Sequence, residues 1–448
     1  MLLHVKPPKS PPWEGPPSPC AMPPMGSLRQ VDVPQCRATA QASEIAVFDF
    51  LSHEHMHLAF NEGYLRILRA AYPNDRISFR AVKGHVERLG PRVADLGKIT
   101  FQPCTPFETS FGLSHHNPIA GRWAARHCLN VMTQGTAGRS VRFTALLGFN
   151  ANLLVVIGHG WPAVSPTPLH MILHGQLGEA MVWRSRNPFI RAGDLMSQLK
   201  RPLPRSVQIV ALELGVKEAI IAISPAVAQS IVTLEHPILV SEWAENSHLA
   251  GVGQIKIAFA GHARRAKGFD TFAELARGCL RADIEFHAIG LSSPETDHLD
   301  TGKLARKPSK TPLPRQEYLE ALGEVDLVCL PLHSRAYDFT ASGTVSDAIA
   351  ALKPLIAFRT HTLEAISAHY GRIGWLVDNN DTLVELVRTL DHVGFARQRS
   401  GWIHNLKAIR EARSPQMLAS TYSAAIAGIN TPAAGSTSPD RRHPRPVV

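Results

Sequence analysis

Between Ile255 and Phe358 the chain twice runs from an apolar strand into a small turn and a helix start, a pattern few folds accommodate. Ile255-Lys256-Ile257-Ala258-Phe259-Ala260 has strand length and strand composition. The basic turn Gly261-His262-Ala263-Arg264-Arg265-Ala266-Lys267-Gly268 follows at once, then a helical pattern from Phe269 to Leu280. The second strand, Val325-Asp326-Leu327-Val328-Cys329-Leu330-Pro331, leads to Ala341-Ser342-Gly343-Thr344 and a helix carrying Asp347. Strands separated by helices pair in parallel, because each must return past a helix to reach its neighbour. A glycine turn that opens on a helix N-terminus offers backbone N–H groups and the positive end of the helix dipole, and such turns hold phosphate. Two of them in one repeat imply a ligand with a diphosphate, held between strand ends.

At 448 residues with 44% hydrophobic residues, the chain can bury two or three domains. No run of about 18 apolar residues is present, so no membrane-spanning helix is expected. The first residues lack the apolar stretch of an export signal, and a cytoplasmic location is expected. The six cysteines (Cys20, Cys36, Cys104, Cys128, Cys279, Cys329) include no C-x-x-C pair and read as free thiols. The formal net charge of +10 favours anionic partners. Lysines and arginines are scattered, with no basic run interleaved with aromatics and no zinc-finger spacing, so nucleic acid is not an expected partner. Weak peripheral association with an anionic membrane, such as an inner face, is compatible with that charge.

Residues 1–42 are proline-rich and patternless, and residues 429–448 are rich in Pro, Gly, Ser and Arg. Both read as disordered tails. The body alternates strand and helix signals. Strands are expected over 45–51, 76–81, 153–157, 169–173, 207–212 and 219–223, with an amphipathic helix from Leu58 to Ala71. Glu235 to Gln254 carries Pro237, Gly251 and Gly253 without periodicity and reads as a connector. Beyond it, strands are expected at 255–260, 284–289, 325–330 and 354–358, and helices near 381–390 and 401–411. The expected fold class is therefore α/β with two Rossmann-like, doubly wound domains facing a cleft. Residues 43–240 form the first, 255–398 the second, and helices over 399–428 pack back on the body.

The second half resembles the nucleotide-sugar-binding domain of GT-B-fold glycosyltransferases of the kind that build bacterial polysaccharides. The matching residues are Phe259-Ala260-Gly261 with Lys267-Gly268, Val325-Asp326-Leu327 with Leu330-Pro331, Ser342-Gly343-Thr344, and Asp347-Ala348-Ile349-Ala350 with Lys353-Pro354-Leu355-Ile356-Ala357. Two positions depart from the pattern. His262 stands where the family usually carries an arginine, with Arg264 or Arg265 as substitutes. Phe339 stands where it favours an acidic residue, with Asp338 one place away. The resemblance implies transfer of a sugar from a nucleotide sugar to a saccharide or lipid-linked acceptor.

Breaking the bond from a sugar to a diphosphate puts charge on the leaving phosphate, which cations and N–H groups stabilise. Lys267, Arg265 and Arg264 are the candidate cations; the alternative is a solvated turn. Gly261 and Gly268 allow close backbone approach. Ser342, Gly343 and Thr344 offer N–H groups or form an ordinary N-cap. Asp347, by resemblance, accepts from the ribose hydroxyls; otherwise it is an acid favoured by the helix dipole. No Asp-x-Asp follows a strand, so neither metal nor cofactor is expected. In the first half, Ser52-His53-Glu54-His55-Met56-His57 follows the first strand and offers a base for the acceptor hydroxyl, His55 foremost. His174 and His159, each ending an apolar run, are rivals, and a metal site is the weaker reading of the cluster. Other outcomes left open are a nucleotide-sugar epimerase and a catalytically degenerate binding or scaffold protein. A NAD-dependent oxidoreductase is disfavoured, because no G-x-G-x-x-G follows the first strand.

Overall fold

The structure, a computed structural model, describes residues 43–104, 118–182, 187, 194–240 and 254–430. The proline-rich arm, the tail beyond 430 and the connector over 241–253 lie outside the described residues. Seven strands build a first, wholly parallel sheet: β1 (Glu44–Asp49), β2 (Arg76–Val82), β3 (Ile99–Cys104), β4 (Val141–Leu147), β5 (Leu169–Leu173), β6 (Val207–Leu212) and β7 (Ile231–Leu234). Six build a second: β8 (Ile255–Ala260), β9 (Ile284–Ile289), β10 (Leu304–Arg306), β11 (Leu327–Leu330), β12 (Leu355–Phe358) and β13 (Gly374–Val377). Their orders are β3-β2-β1-β4-β5-β6-β7 and β10-β9-β8-β11-β12-β13. Each sheet is doubly wound, and its order reverses beside its first strand. There the connections leave to opposite sides and open a crevice at the strands' carboxyl ends. Helices cover both faces, so central strands such as β1 and β6 are buried along their whole length.

The helices that matter for the site are α1 (Leu58–Ala71), α2 (Gln176–Val182), α3 (Leu214–Ile223), α4 (Phe269–Gly278), α5 (Arg315–Gly323), α6 (Ser334–Tyr337), α7 (Gly343–Ala350), α8 (His361–Tyr370), α9 (His392–Ala412) and α10 (Pro415–Asn430). α4 shows why they form where they do. Phe269, Phe272, Ala273 and Ala276 recur at helical spacing and bury one face beside Phe259 and Phe286.

The two lobes touch closely. A Cβ added at Gly178 in α2 would lie 2.3 Å from the Ala336 carbonyl oxygen in α6, and one at Gly215 in α3 would lie 2.7 Å from that of His361 in α8. Phe339 of the second lobe, only 8% exposed, is part of the first lobe's core with Leu177 and Leu195. α10 returns to the first lobe, where the Tyr422 hydroxyl is hydrogen-bonded in a buried chain to the Tyr64 hydroxyl (2.9 Å) and to His170 Nδ1 (3.2 Å). At the α9–α10 junction the buried Arg413 donates to both carboxylate oxygens of Glu213 (2.8 and 2.5 Å) and to Glu235 (2.7 Å).

The structure corrects two expected strands. Residues 153–157 belong to a helical stretch, Ala151–Leu153 continuing through the π-turn Leu154–Gly158 into His159–Val164, and it is capped by Asn150, whose side chain accepts from Leu153 N at 3.1 Å. Residues 219–223 are the end of α3. Both are five-residue apolar runs, too short for periodicity to separate helix from strand. Five strands escaped the sequence reading: β3, β4, β7, β10 and β13. Pro103 marks β3 as an edge strand, Arg142 and Thr144 interrupt β4, and the other three span four residues or fewer. Among the described residues no helix is long and apolar enough to cross a membrane.

Candidate active site

The second sheet reverses between β8 and β11, and both glycine turns leave from there. After β8, Gly261 takes φ +91°, and a Cβ there would sit 2.8 Å from Thr344 Oγ1 and 3.0 Å from Lys267 Nζ. Backbone and space both demand glycine. One 3₁₀ turn, Arg265–Lys267, closes on Gly268 at φ +77°, where a Cβ would fall 2.0 Å from the Pro331 carbonyl oxygen. This geometry turns Lys267 inward. Its ammonium donates to Thr344 Oγ1 at 3.2 Å, in the first turn of α7. Burial lowers the Lys267 pKa to about 8; Asp347 opposes the shift and Arg264 adds to it. Ser342 caps α7, its Oγ accepting from Val345 N at 3.5 Å. One turn on, Asp347 accepts from Arg315 Nη2 and from the Tyr318 hydroxyl, each at 3.1 Å.

The rest of the basic turn faces elsewhere. His262 Nε2 donates to the Ser292 carbonyl at 3.1 Å, and burial lowers its pKa. Arg265 is exposed; its amide donates to Glu295 Oε1 at 3.0 Å and its guanidinium meets His298 Nε2 at 3.1 Å. Arg264 is exposed as well. None of the three lines the cleft.

In the first lobe, the loop after β1 is organised by Asp49, which is fully buried. Its Oδ1 accepts from Leu51 N (3.1 Å) and Ser52 N (2.9 Å), and its Oδ2 from Asn61 Nδ2 (2.7 Å). Asn61 also donates to His85 Nε2 (2.8 Å), whose Nδ1 donates to the Glu54 carbonyl (3.1 Å). Glu54 and His57 sit at φ +41° and +54°, so this network holds the loop in a strained course. It presents His57, whose ring stacks on His174 (4.3 Å between centroids, 12° between planes), while Phe60 meets His174 edge-on at 4.4 Å. Burial lowers the pKa of His57, pushes His174 well below the usual imidazole range and takes His236 to about 4. All three rings are neutral at physiological pH. His174 Nε2 is buried and has no partner among the described residues.

The lobes enclose a cleft of about 360 Å³. From the first lobe His55, His57, His174 and His236 line it; from the second, Lys267, Arg315, Ser342, Gly343 and Asp347. The structure thus brings together six of the sequence candidates: His55, His174, Lys267, Ser342, Gly343 and Asp347. Thr344, Gly261 and Gly268 stand directly behind them. His159 lies in the helical stretch His159–Val164 and does not line the cleft. No group of three or more His, Cys, Asp or Glu residues is arranged to hold a metal ion among the described residues. Phe339 does not line the cleft, and Asp338 Oδ1 accepts from His361 N (2.9 Å) at the start of α8. Sequence reasoning missed Arg315, Tyr318, His236 and the Asp49–Asn61–His85 network. Only chain folding joins these distant residues, and no local spacing marks them.

No family model and no curated protein matches the sequence. Solved structures do match its architecture. Alr3699/HepE from Anabaena, in complex with UDP and glucose, aligns over 86% of this chain and 100% of its own with a TM-score of 0.58 at 11% identity. An α,α-trehalose-phosphate synthase (UDP-forming) from Burkholderia vietnamiensis aligns over 87% and 99%, TM-score 0.57, at 9% identity. The lipopolysaccharide outer core galactosyltransferase WaaB, in apo form, aligns over 86% and 99%, TM-score 0.53, at 13% identity. The chain has the GT-B fold.

Proposed function

We propose that this chain is a glycosyltransferase that moves a sugar from a nucleoside diphosphate sugar to an acceptor hydroxyl. One observation carries the reading: Lys267 Nζ bonds Thr344 Oγ1 at the start of α7, so the basic turn and the second glycine turn act on one ligand position. The cation and the helix N-terminus face the leaving diphosphate and stabilise its developing charge, worth roughly 3 kcal/mol per well-placed donor. Asp347 takes the ribose hydroxyls with the lone pairs its protein partners leave. The shared fold of HepE, solved with UDP and glucose, and of the galactosyltransferase WaaB supports this class of donor.

The histidine wall takes the acceptor side. The neutral, unpartnered His174 Nε2 suits a hydrogen bond to a hydroxyl, and its lowered proton affinity makes it a weak base. His55, exposed at the cleft, takes the part of the base. The acceptor is a saccharide or a lipid-linked chain in bacterial polysaccharide or glycoconjugate synthesis, and the site of action is the cytoplasm.

A thermal-shift screen with UDP, GDP, ADP and CMP tests this. One diphosphate raises the Tm of the wild type, Lys267→Ala loses most of that rise, and the matching nucleotide sugar releases that diphosphate in the presence of acceptor. No shift with any nucleotide refutes the reading. The diversion of Asp338 and Phe339 from the cleft favours a second reading, a nucleotide-binding protein without turnover. A shift without diphosphate release from any sugar nucleotide selects it.

A further inference from the structure

We infer that Arg315 is a second anion-binding group of the cleft and grips the same phosphate chain as Lys267, an inference that rests on reading the cleft as a phosphate site. Among the described residues Lys267 and Arg315 are the lysine and the arginine that line it. They come from distant parts of the chain, the turn before α4 and the first residue of α5. Both are tied to one turn of α7. Lys267 bonds Thr344 and Arg315 bonds Asp347, three residues later. Residues three apart in a helix have Cβ atoms about 5–6 Å apart, so the two cationic heads flank the same N-terminal turn and its outward N–H groups.

The guanidinium is oriented before any ligand arrives. Asp347 Oδ1 holds it at 3.1 Å, Asp347 Oδ2 is itself held by the Tyr318 hydroxyl, and the Arg315 head lies 5.5 Å from the Tyr318 ring centroid. Among the described residues that line the cleft, Lys267 and Arg315 stand beside one carboxylate, that of Asp347. A planar guanidinium matches phosphate oxygens bidentately, as an ammonium does not. The arginines of the basic turn do not take this part, because both are exposed and lie outside the cleft. The competing role for Arg315 is structural: it would neutralise Asp347 and fasten α5 to α7.

Inorganic pyrophosphate separates the two, since it has no ribose for Asp347 to hold. Its binding is measured by titration calorimetry at low salt on the full chain, with Tm as the check on folding. Arg315→Gln weakens it about tenfold or more, the size expected of a charge-assisted hydrogen bond. Arg315→Lys, which keeps the charge and loses the fork, falls between and carries the test if the glutamine variant unfolds. Asp347→Asn leaves the affinity equal or tighter, because it removes a negative charge. Wild-type affinity in both Arg315 variants, or a wild type that binds no pyrophosphate, overturns the inference. If Arg315→Gln loses pyrophosphate while UDP, GDP and ADP leave the wild type unaffected, Arg315 stands as an anion-binding residue and the nucleotide-sugar reading falls.

Discussion

Diphosphate affinity should fall as pH rises, because Lys267 loses its proton in the empty cleft near pH 8 while bound phosphate keeps it charged. Its pKa is lowered from 10.5 to about 8, with burial as the largest cause. A phosphate facing the ammonium favours the charged form and moves the bound-state pKa back up. With a free-state pKa of about 8, the charged fraction drops from about nine-tenths at pH 7 to about one-tenth at pH 9, so Kd rises about tenfold across that window. The terminal phosphate ionises near pH 6, below the window. The assay is titration calorimetry with the stabilising nucleoside diphosphate at pH 7, 8 and 9 and constant ionic strength. Lys267→Arg keeps its charge throughout, and its Kd stays level. Lys353 also has a pKa lowered to about 8, but its ammonium donates to the Gly323 carbonyl at 2.7 Å and it does not line the cleft. Its titration moves Tm, not Kd. For stability without ligand the sign is opposite. The folded-state pKa of Lys267 is depressed, so its contribution is complete above about 10.5 and lost as pH falls through about 8. A wild-type Kd unchanged from pH 7 to 9, or an equal rise in Lys267→Arg, refutes the placement of Lys267 against the phosphate.

Phe339→Ala removes a second-lobe side chain from the first lobe's core and should cost roughly 3–5 kcal/mol in urea denaturation. A cost near zero would mean that Phe339 does not hold the lobes together. Arg413→Met leaves the buried Glu213 beside Glu235 without its cation and should cost about 3–5 kcal/mol at neutral pH. The Glu213 pKa is raised well above the usual carboxylate range, chiefly by burial, so the defect should shrink as pH falls and the carboxyl takes up its proton; the check is denaturation at pH 5 and pH 8. Gly261→Ala forces a positive φ on alanine, costing about 1–2 kcal/mol, and crowds Lys267 and Thr344. Calorimetry should find its loss of diphosphate affinity larger than that of an alanine placed at Gly278, where nothing crowds a Cβ.

How legible the molecule is in its sequence varies by element. β8 and α4 are readable because a continuous apolar strand, a glycine turn and a helical apolar face follow one another within 24 residues, Ile255–Gly278. Residues 153–157 and 219–223 were misread because a five-residue apolar run is equally at home in a buried helix and a buried strand. Of the residues that line the cleft, Lys267 stands out in the sequence by its basic glycine turn and Asp347 by the family resemblance. Arg264 and Arg265 share the local signal of Lys267, yet the turn leaves both exposed and sends the Arg265 guanidinium to His298.

The local order of residues was enough to determine an α/β chain of two Rossmann-like halves, with two glycine turns at strand ends in the second. Periodicity, glycines and caps are short-range, and each acts within a few residues of itself. What the tertiary structure decided is which groups share the cleft: Arg315 tied to Asp347, His57 stacked on His174, and Phe339 withdrawn into the opposite lobe's core. Those outcomes depend on burial and on contacts between residues far apart in the chain, where the gain comes from packing and charge pairing that no local pattern encodes.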